Sequence, residues 1–174
     1  MVIPVKIAAV LQKSTVPMLF GIRHNDSLRL GIQIYSSQTE CVAAFNEGRA
    51  DIALVSLHDA ADAAEYQLLS DFCIAPAPKS PTILVDEWGD SPVAAVWIAR
   101  QGLLPETVDT FEQALTFGVE RVWEAILEQG LENEPDIYDF YTEKIDYMFD
   151  AKKHKAAEAY WKNLKKAVSH ANPG

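Results

Sequence analysis

The chain has 174 residues, 49% of them hydrophobic and 23% charged, with four tryptophans and a formal net charge of −10. A chain of this size and composition can bury a core without disulfides or a structural metal, and it is neither disordered nor fibrous. No apolar run approaches the roughly 20 residues that cross a bilayer, and the opening "MVIPVKIAAVLQKS" is too short in its apolar part for a signal peptide, so a cytoplasmic protein away from membranes is expected.

Ile3 to Leu11, "IPVKIAAVL", is a short apolar run that predicts a buried strand. "STVPMLFGIR" predicts a helix with Ser14 as its N-cap and Pro17 in the first turn, where a missing N–H is harmless. Leu28, Leu30, Ile32 and Ile34 alternate along "LRLGIQIY", a period-2 strand pattern. Ser37 to Glu40, "SQTE", is a capping box that opens a helix carrying Cys41, Val42, Ala44 and Phe45 toward a core and stopping at Gly48. "DIALVS" follows as a strand. Strand, helix, strand, helix, strand over the first 56 residues calls for right-handed crossovers and a parallel sheet covered on both faces.

The alanines of "HDAADAAEY" predict a short helix, "QLLSDFCIA" a strand, and Pro92 to Arg100 another. Between these strands lies "CIAPAPKSPTILVDEW", whose prolines at 76, 78 and 81 forbid a continued ladder or helix and make a stiff connection. Thr107 to Gly130, with Phe111, Ala114, Leu115, Val119, Val122, Ile126 and Leu127 at helical spacing, predicts one long helix closed by a C′ glycine. "PDIYDFYTEKIDYMF" predicts a second helix, and Asp150 caps a third that runs toward Ser169. Residues 151–174 hold six lysines against Glu158, a net +5, while nine bases against 24 acids leave residues 1–150 at −15. Such a body repels nucleic acid and anionic membrane, and the basic helix is expected to dock on it. Cys41 and Cys73 have no metal-type spacing and read as small buried apolar residues. No metal and no cofactor is expected.

Four segments, "IAAVLQKSTVPMLFGI", "NEGRADIALVS", "DEWGDSPVAAVWIAR" and "YTEKIDYMF", resemble in that order patterns of the chorismate dehydratases of the futalosine route to menaquinone. Those patterns are A-V-S-Y-L-N-T-x-P-L-x-x-G-L, G-x-x-D-x-A-L-V-P, E-E-W followed by F-A-V-W, and Y-F-x-x-x-I-x-Y. The resemblance spans almost the whole chain. It implies a two-lobed fold similar to type II periplasmic binding proteins, here reduced to the first lobe, since a join at 76–82 of ordinary loop length stands where the family builds a second lobe. The fold class it implies is α/β: a three-layer sandwich with a mostly parallel five-stranded sheet, order 2-1-3-5-4, and C-terminal helices in a single domain, 1–174. The fifth strand, Pro92 to Arg100, would run antiparallel beside Leu68 to Ala75. Whether the join is a natural loss or an engineered deletion is left open.

In an open sheet of this kind ligands bind beyond the carboxyl ends of the strands, where "LQKST" and "SLHD" belong. Free N–H groups at Ser14 and Thr15 suit a carboxylate, and Lys13 adds charge. With Ser56 and His58 from the second loop they make the candidate ligand-binding set, for a small aromatic carboxylate. The plainer account of Ser14 is a helix cap. Where the family carries an asparagine implicated in dehydration this chain has Ser14, and Gln12-Lys13 replaces its Tyr-Leu, so no catalytic residue is assigned. His58 and Asp62, at i and i+4, are too few for a metal site and read as solvent-facing. Asp86 and Glu87 are adjacent, point apart, and read as a solvated turn. Phe140, Tyr141, Tyr147, Phe149, Tyr160 and Trp161 read as packing. The expected function is therefore that of a single-lobe relative of chorismate dehydratase with weak or absent catalysis. Two alternatives stand beside it: an active carbon–oxygen lyase that completes its site across a homodimer, and a small module that binds an aromatic carboxylate. A homodimer would also cover apolar surface left by the lost lobe.

Overall fold

The computed structural model describes residues 5–63 and 65–171. β1 (Ile7–Val10), β2 (Ile32–Tyr35) and β3 (Ile52–Ser56) alternate with α1 (Val16–Arg23) and α2 (Gln38–Asn46). β1 pairs in parallel with both β2 and β3. Every residue of β1 and β3 is buried, as strands covered on both faces require. α3 (Leu57–Ala61), β4 (Tyr66–Pro76), α4 (Val85–Trp88) and β5 (Ala95–Arg100) follow, then α5 (Pro105–Val119), α6 (Val122–Gln129), α7 (Ile137–Asp139), β6 (Ile145–Met148) and α8 (Ala151–Ala171). α1 packs on α5 and α6, whereas α2 meets α3, and α3 meets α8. Right-handed crossovers put α1 and α2 on opposite faces, so the helices form two layers about the sheet.

The strand order is β2-β1-β3-β5-β4-β6. It departs from the expected 2-1-3-5-4 by a sixth strand, and the sheet is mixed rather than mostly parallel, because β5 runs antiparallel to β3 and β4, and β6 antiparallel to β4. The sixth strand comes from the segment expected to be a helix. Ile145 and Tyr147 are buried while Asp146 and Met148 are not, a period of two that overrides the looser helical spacing of the aromatics. β4 without it would present an unpaired edge. The helical part is confined to α7 and a π turn, Phe140–Lys144.

Three other boundaries move for local reasons. The strand expected from Leu28 starts only at Ile32, because Leu28 and Arg29 donate their N–H groups to the Asn25 carbonyl and Gly31 donates to Leu28, closing a turn. Leu28 is buried by that turn and Leu30 is left exposed. The long helix breaks after Val119: Arg121 stacks over the Phe117 ring at 3.8 Å and donates from Nη1 to the Phe117 carbonyl at 3.2 Å, capping α5. α6 then ends at Gly130 in the left-handed region, φ 74°, as the C′ glycine predicts. Ser14 does not cap α1: it lies in a 3₁₀ turn, Lys13–Thr15, and α1 starts at Val16 with Pro17 in its first turn.

Ser37 and Asp150 cap their helices as the sequence suggests, although the Glu40 carboxylate answers Ser36 rather than the Ser37 amide. Ser37 Oγ accepts from Glu40 N at 3.1 Å, while the Glu40 carboxylate takes Ser36 N and Oγ. Asp150 Oδ1 accepts from Lys153 N at 2.9 Å and opens α8. That helix docks on its own body: Trp161 Nε1 donates to the Leu57 carbonyl at 2.8 Å, and Lys153 pairs with Asp146 at 2.6 Å and Asp150 at 3.1 Å. Cys41 and Cys73 are free and buried, and burial foremost, with Glu40 and Asp59 adding to it, pushes the Cys41 thiol up to about 12.

Between α1 and α5 the main chains touch. A Cβ on Gly21 would stand 1.9 Å from the Ala114 carbonyl oxygen, and one on Gly118 would stand 2.0 Å from that of Pro17. Beside this crossing Trp97 meets Phe111 edge-on, ring centroids 4.9 Å apart, and points Nε1 at Met18 Sδ. Gly21→Ala and Gly118→Ala are each expected to destabilise the fold by at least about 1–3 kcal/mol, the usual cost of overpacking, read from the midpoint of a urea titration. On the other side of α5, Glu112 is pushed up to about 7 from 4.5, first by burial and then by a bond to Asp71 and the charges of Asp71 and Asp109. A raised carboxyl favours the fold fully below its unfolded value and less as pH climbs through its folded one. Stability should therefore decline between pH 4.5 and 7, and Glu112→Gln should flatten that part of a stability-against-pH curve.

Candidate functional site

The loops after β1 and β3 leave the sheet on the same edge, since the two strands are parallel neighbours, and the chain turns away from them in opposite directions along the sheet. This is the switch point at which open α/β sheets take ligands. All five candidate residues lie at this edge: Lys13, Ser14 and Thr15 in the turn after β1, Ser56 at the end of β3 and His58 in the first turn of α3. Their side chains do different things.

Ser14 is fully buried, at 0% exposure, and its polar groups are met by the chain itself. Glu87 Oε1 accepts from its N–H at 3.3 Å, Trp88 Nε1 donates to its hydroxyl oxygen at 2.9 Å, and the Tyr147 hydroxyl donates to its carbonyl at 2.7 Å. The Tyr141 hydroxyl donates to the Lys13 carbonyl at 2.6 Å. Lys13 Nζ pairs with Glu134 and sits 4.4 Å from the centre of the Phe140 ring. Thr15 is buried and closes the turn, its hydroxyl oxygen accepting from Gln12 N at 3.0 Å while the hydroxyl lies 2.9 Å from the Val10 carbonyl. Ser56 caps α3 through Asp59 N at 3.0 Å. His58 is exposed, with Asp59 3.9 Å away, and α3 stops at Ala61 before Asp62 could share its face.

Glu87 is the residue the sequence did not single out. Read as half of a solvated acid pair, it is instead turned inward while Asp86 stays exposed. The one-turn helix α4 separates the neighbours and places Trp88 beside Glu87 on the Ser14 turn. Gln38 Nε2 fixes α4 by donating to the Glu87 carbonyl at 2.6 Å. The tyrosines, expected only to pack, also bind main chain. Burial is the main cause that raises both hydroxyls well above their usual range; the Glu87 charge adds to it at each, joined by Glu134 at Tyr141 and by Tyr141 at Tyr147. Both therefore stay protonated near neutral pH. Among the described residues no cluster of three or more potential metal ligands occurs.

Neither of two larger openings is lined by a residue of this arrangement. One, of about 500 Å³, lies along the proline join between Pro76, Pro78, Pro81 and Pro92, with Asp90 and Ser91 at its rim. The other, of about 570 Å³, is at the far, amino end of the sheet, where Asp51 pairs with Arg100 at 2.7 Å.

By sequence, no family model and no curated protein matches the chain. By structure, it is similar to an ABC transporter protein from Parabacteroides distasonis, with TM-score 0.56 and 11% identity over 98% of this chain and 93% of that one. It is also similar to a conserved Candida albicans gene product that defines a new family with the generic periplasmic binding protein fold, with TM-score 0.60 and 11% identity over 99% of this chain and 92% of that one. The chain thus has a periplasmic-binding-protein-like α/β fold, and none of its described helices is long and apolar enough to cross a membrane.

Tyr147→Phe leaves the Ser14 carbonyl without its donor and should cost about 1–3 kcal/mol. Because the Tyr147 hydroxyl is raised above 10.0, its stabilisation is complete below that pH and is lost as pH rises beyond it. The wild type should therefore lose stability above pH 10.0, and the variant should lose less over the same interval in alkaline denaturation.

Proposed function

We propose that this chain is a single-lobed, non-catalytic relative of the chorismate dehydratases that binds a small ligand at the carboxyl edge of β1 and β3. The observation that carries the reading is the closure of the Ser14 turn by Glu87, Trp88, Tyr141 and Tyr147. Dehydration of chorismate needs a positioned acid or base and a water-poor enclosure. Here the two hydroxyls closest to the turn are held by carbonyls and ionise far above neutrality, and His58 faces solvent. The carboxylate that the turn could have taken from a ligand is supplied by Glu87.

The join supports the single-lobe part. β4 ends at Pro76 and β5 starts at Ala95, and Ala94 N donates to the Ile74 carbonyl at 2.8 Å. The outgoing and returning strands are thus already paired where a second lobe would be inserted, and a proline-braced loop with one helical turn spans the gap. The binding part rests on the fold and on the half-buried side chains left around the turn.

Incubation of the purified chain with chorismate is the direct test. The expected outcome is no formation of 3-enolpyruvylbenzoate above the uncatalysed rate at any protein concentration. Turnover that rises with protein concentration would overturn the reading, and a second-order rise would point to a site shared between two copies.

A further inference from the structure

The opening of about 570 Å³ at the amino end of the sheet falls within the roughly 300–1,000 Å³ of small-molecule pockets. The strand arrangement brings its charged groups together. Lys6 and Asp51 precede β1 and β3, which are parallel neighbours, and Arg100 ends β5, which runs antiparallel to β3. The apolar part of the lining comes from Leu28, buried by the turn about Asn25, and from Leu103 and Leu104, between β5 and α5. Leu103 is buried, whereas Leu104 is left 64% exposed.

Asp51 fixes this end with both carboxylate oxygens. Oδ2 accepts from Lys6 N at 3.0 Å and Oδ1 from Arg100 Nε at 2.7 Å, while Arg100 N donates to the Asp51 carbonyl at 2.9 Å. The Arg100 side chain is therefore oriented by a residue that its own main chain also holds. It is 51% exposed against 24% for Asp51, so the anchor is covered while the guanidinium is open to solvent. A guanidinium carries five N–H donors in a planar fork. Those on Nη1 and Nη2 of Arg100 meet no acceptor among the described residues, and Lys6 Nζ meets none either. Glu106 lines the same opening and pairs with neither cation.

We propose that this opening binds a small monocarboxylate with an apolar body, its carboxylate on the Nη edge of Arg100 and its chain against Leu28, Leu103 and Leu104. The two Nη groups offer a pair of charge-assisted donors matched to carboxylate geometry, and Lys6 adds positive charge. Residues 1–150, at net −15, disfavour anions over most of the surface, so an anion is held only where positioned donors converge, as they do here. Glu106, on the same lining, opposes a second negative charge, which favours a monocarboxylate over a dicarboxylate. The site lies at the opposite end of the sheet from the carboxyl edge of β1 and β3 and does not rest on binding there.

The test is a calorimetric and thermal-shift titration of the full chain with sodium hexanoate, disodium adipate and hexylammonium chloride, at constant ionic strength. Hexanoate is expected to bind saturably and raise the Tm, adipate, of equal length but doubly charged, to bind more weakly, and hexylammonium not to bind. Arg100→Gln, which removes the fork, and Leu104→Glu, which sets a carboxylate on the apolar lining, should each weaken hexanoate binding by roughly tenfold or more. Should Arg100→Gln fail to fold by circular dichroism, Leu104→Glu decides, because Leu104 is exposed and the Asp51–Arg100 pair stays intact. A hexanoate response that survives the substitutions overturns the inference and puts the binding elsewhere on the chain. The absence of a saturable hexanoate response, a response to hexylammonium, or adipate binding as tight as hexanoate overturns it as well.

Discussion

A serine buried to the last of its polar atoms has to be answered from within the protein, and the rest of this molecule is arranged to answer Ser14. Its amide, hydroxyl and carbonyl take partners from two segments far along the chain: α4, on the join, and β6, on the opposite edge of the sheet. Each bond is worth only about 1 kcal/mol net, but a missing one leaves a buried group unsatisfied, so the segments are held together by the penalty for separating them. That is why β6 has to be a strand. As a helix, residues 145–148 could not both close the edge of β4 and aim Tyr147 at the first loop.

The first 56 residues show how far local pattern reaches. β1 and β3 are uniformly apolar because both faces are covered, and the crossovers between parallel strands admit one hand, so local pattern was enough for the topology of that third of the chain. The antiparallel return of β5 beside β4 was legible too, through the resemblance and the prolines that separate the strands. What could not be read were features set by distant partners. Arg121 breaks a continuous helical pattern by turning back on Phe117. Leu28 is buried by a turn about Asn25, although its spacing from Ile32 and Ile34 suits a strand.

The candidate site was legible in position and opaque in detail. The order of elements alone put the two loops where they stand, beyond the carboxyl ends of β1 and β3. Residue roles depended on what covers that edge, and the covering residues come from positions 87, 88, 141 and 147. Glu87 was hidden for a simple reason: the rule that neighbours point apart leaves open which of Asp86 and Glu87 faces inward. The paired tyrosines gave a partial signal, because a buried phenol needs an acceptor, and a loop carbonyl is an available one.

The crossing of α1 and α5 reaches further than its own packing. Gly118 lies against the Pro17 carbonyl, and Pro17 is three residues beyond Ser14, so the separation of two helices on one face of the sheet fixes the height of the turn on its edge. Helices that meet through side chains sit 8–10 Å apart; two glycines that bring main chain onto main chain draw α1 closer. A lineage that gained a β-carbon at either position would have to lift α1, and the Ser14 turn with it, away from Glu87 and Tyr147. Gly21 and Gly118 thus gauge the height of the Ser14 turn from positions outside it.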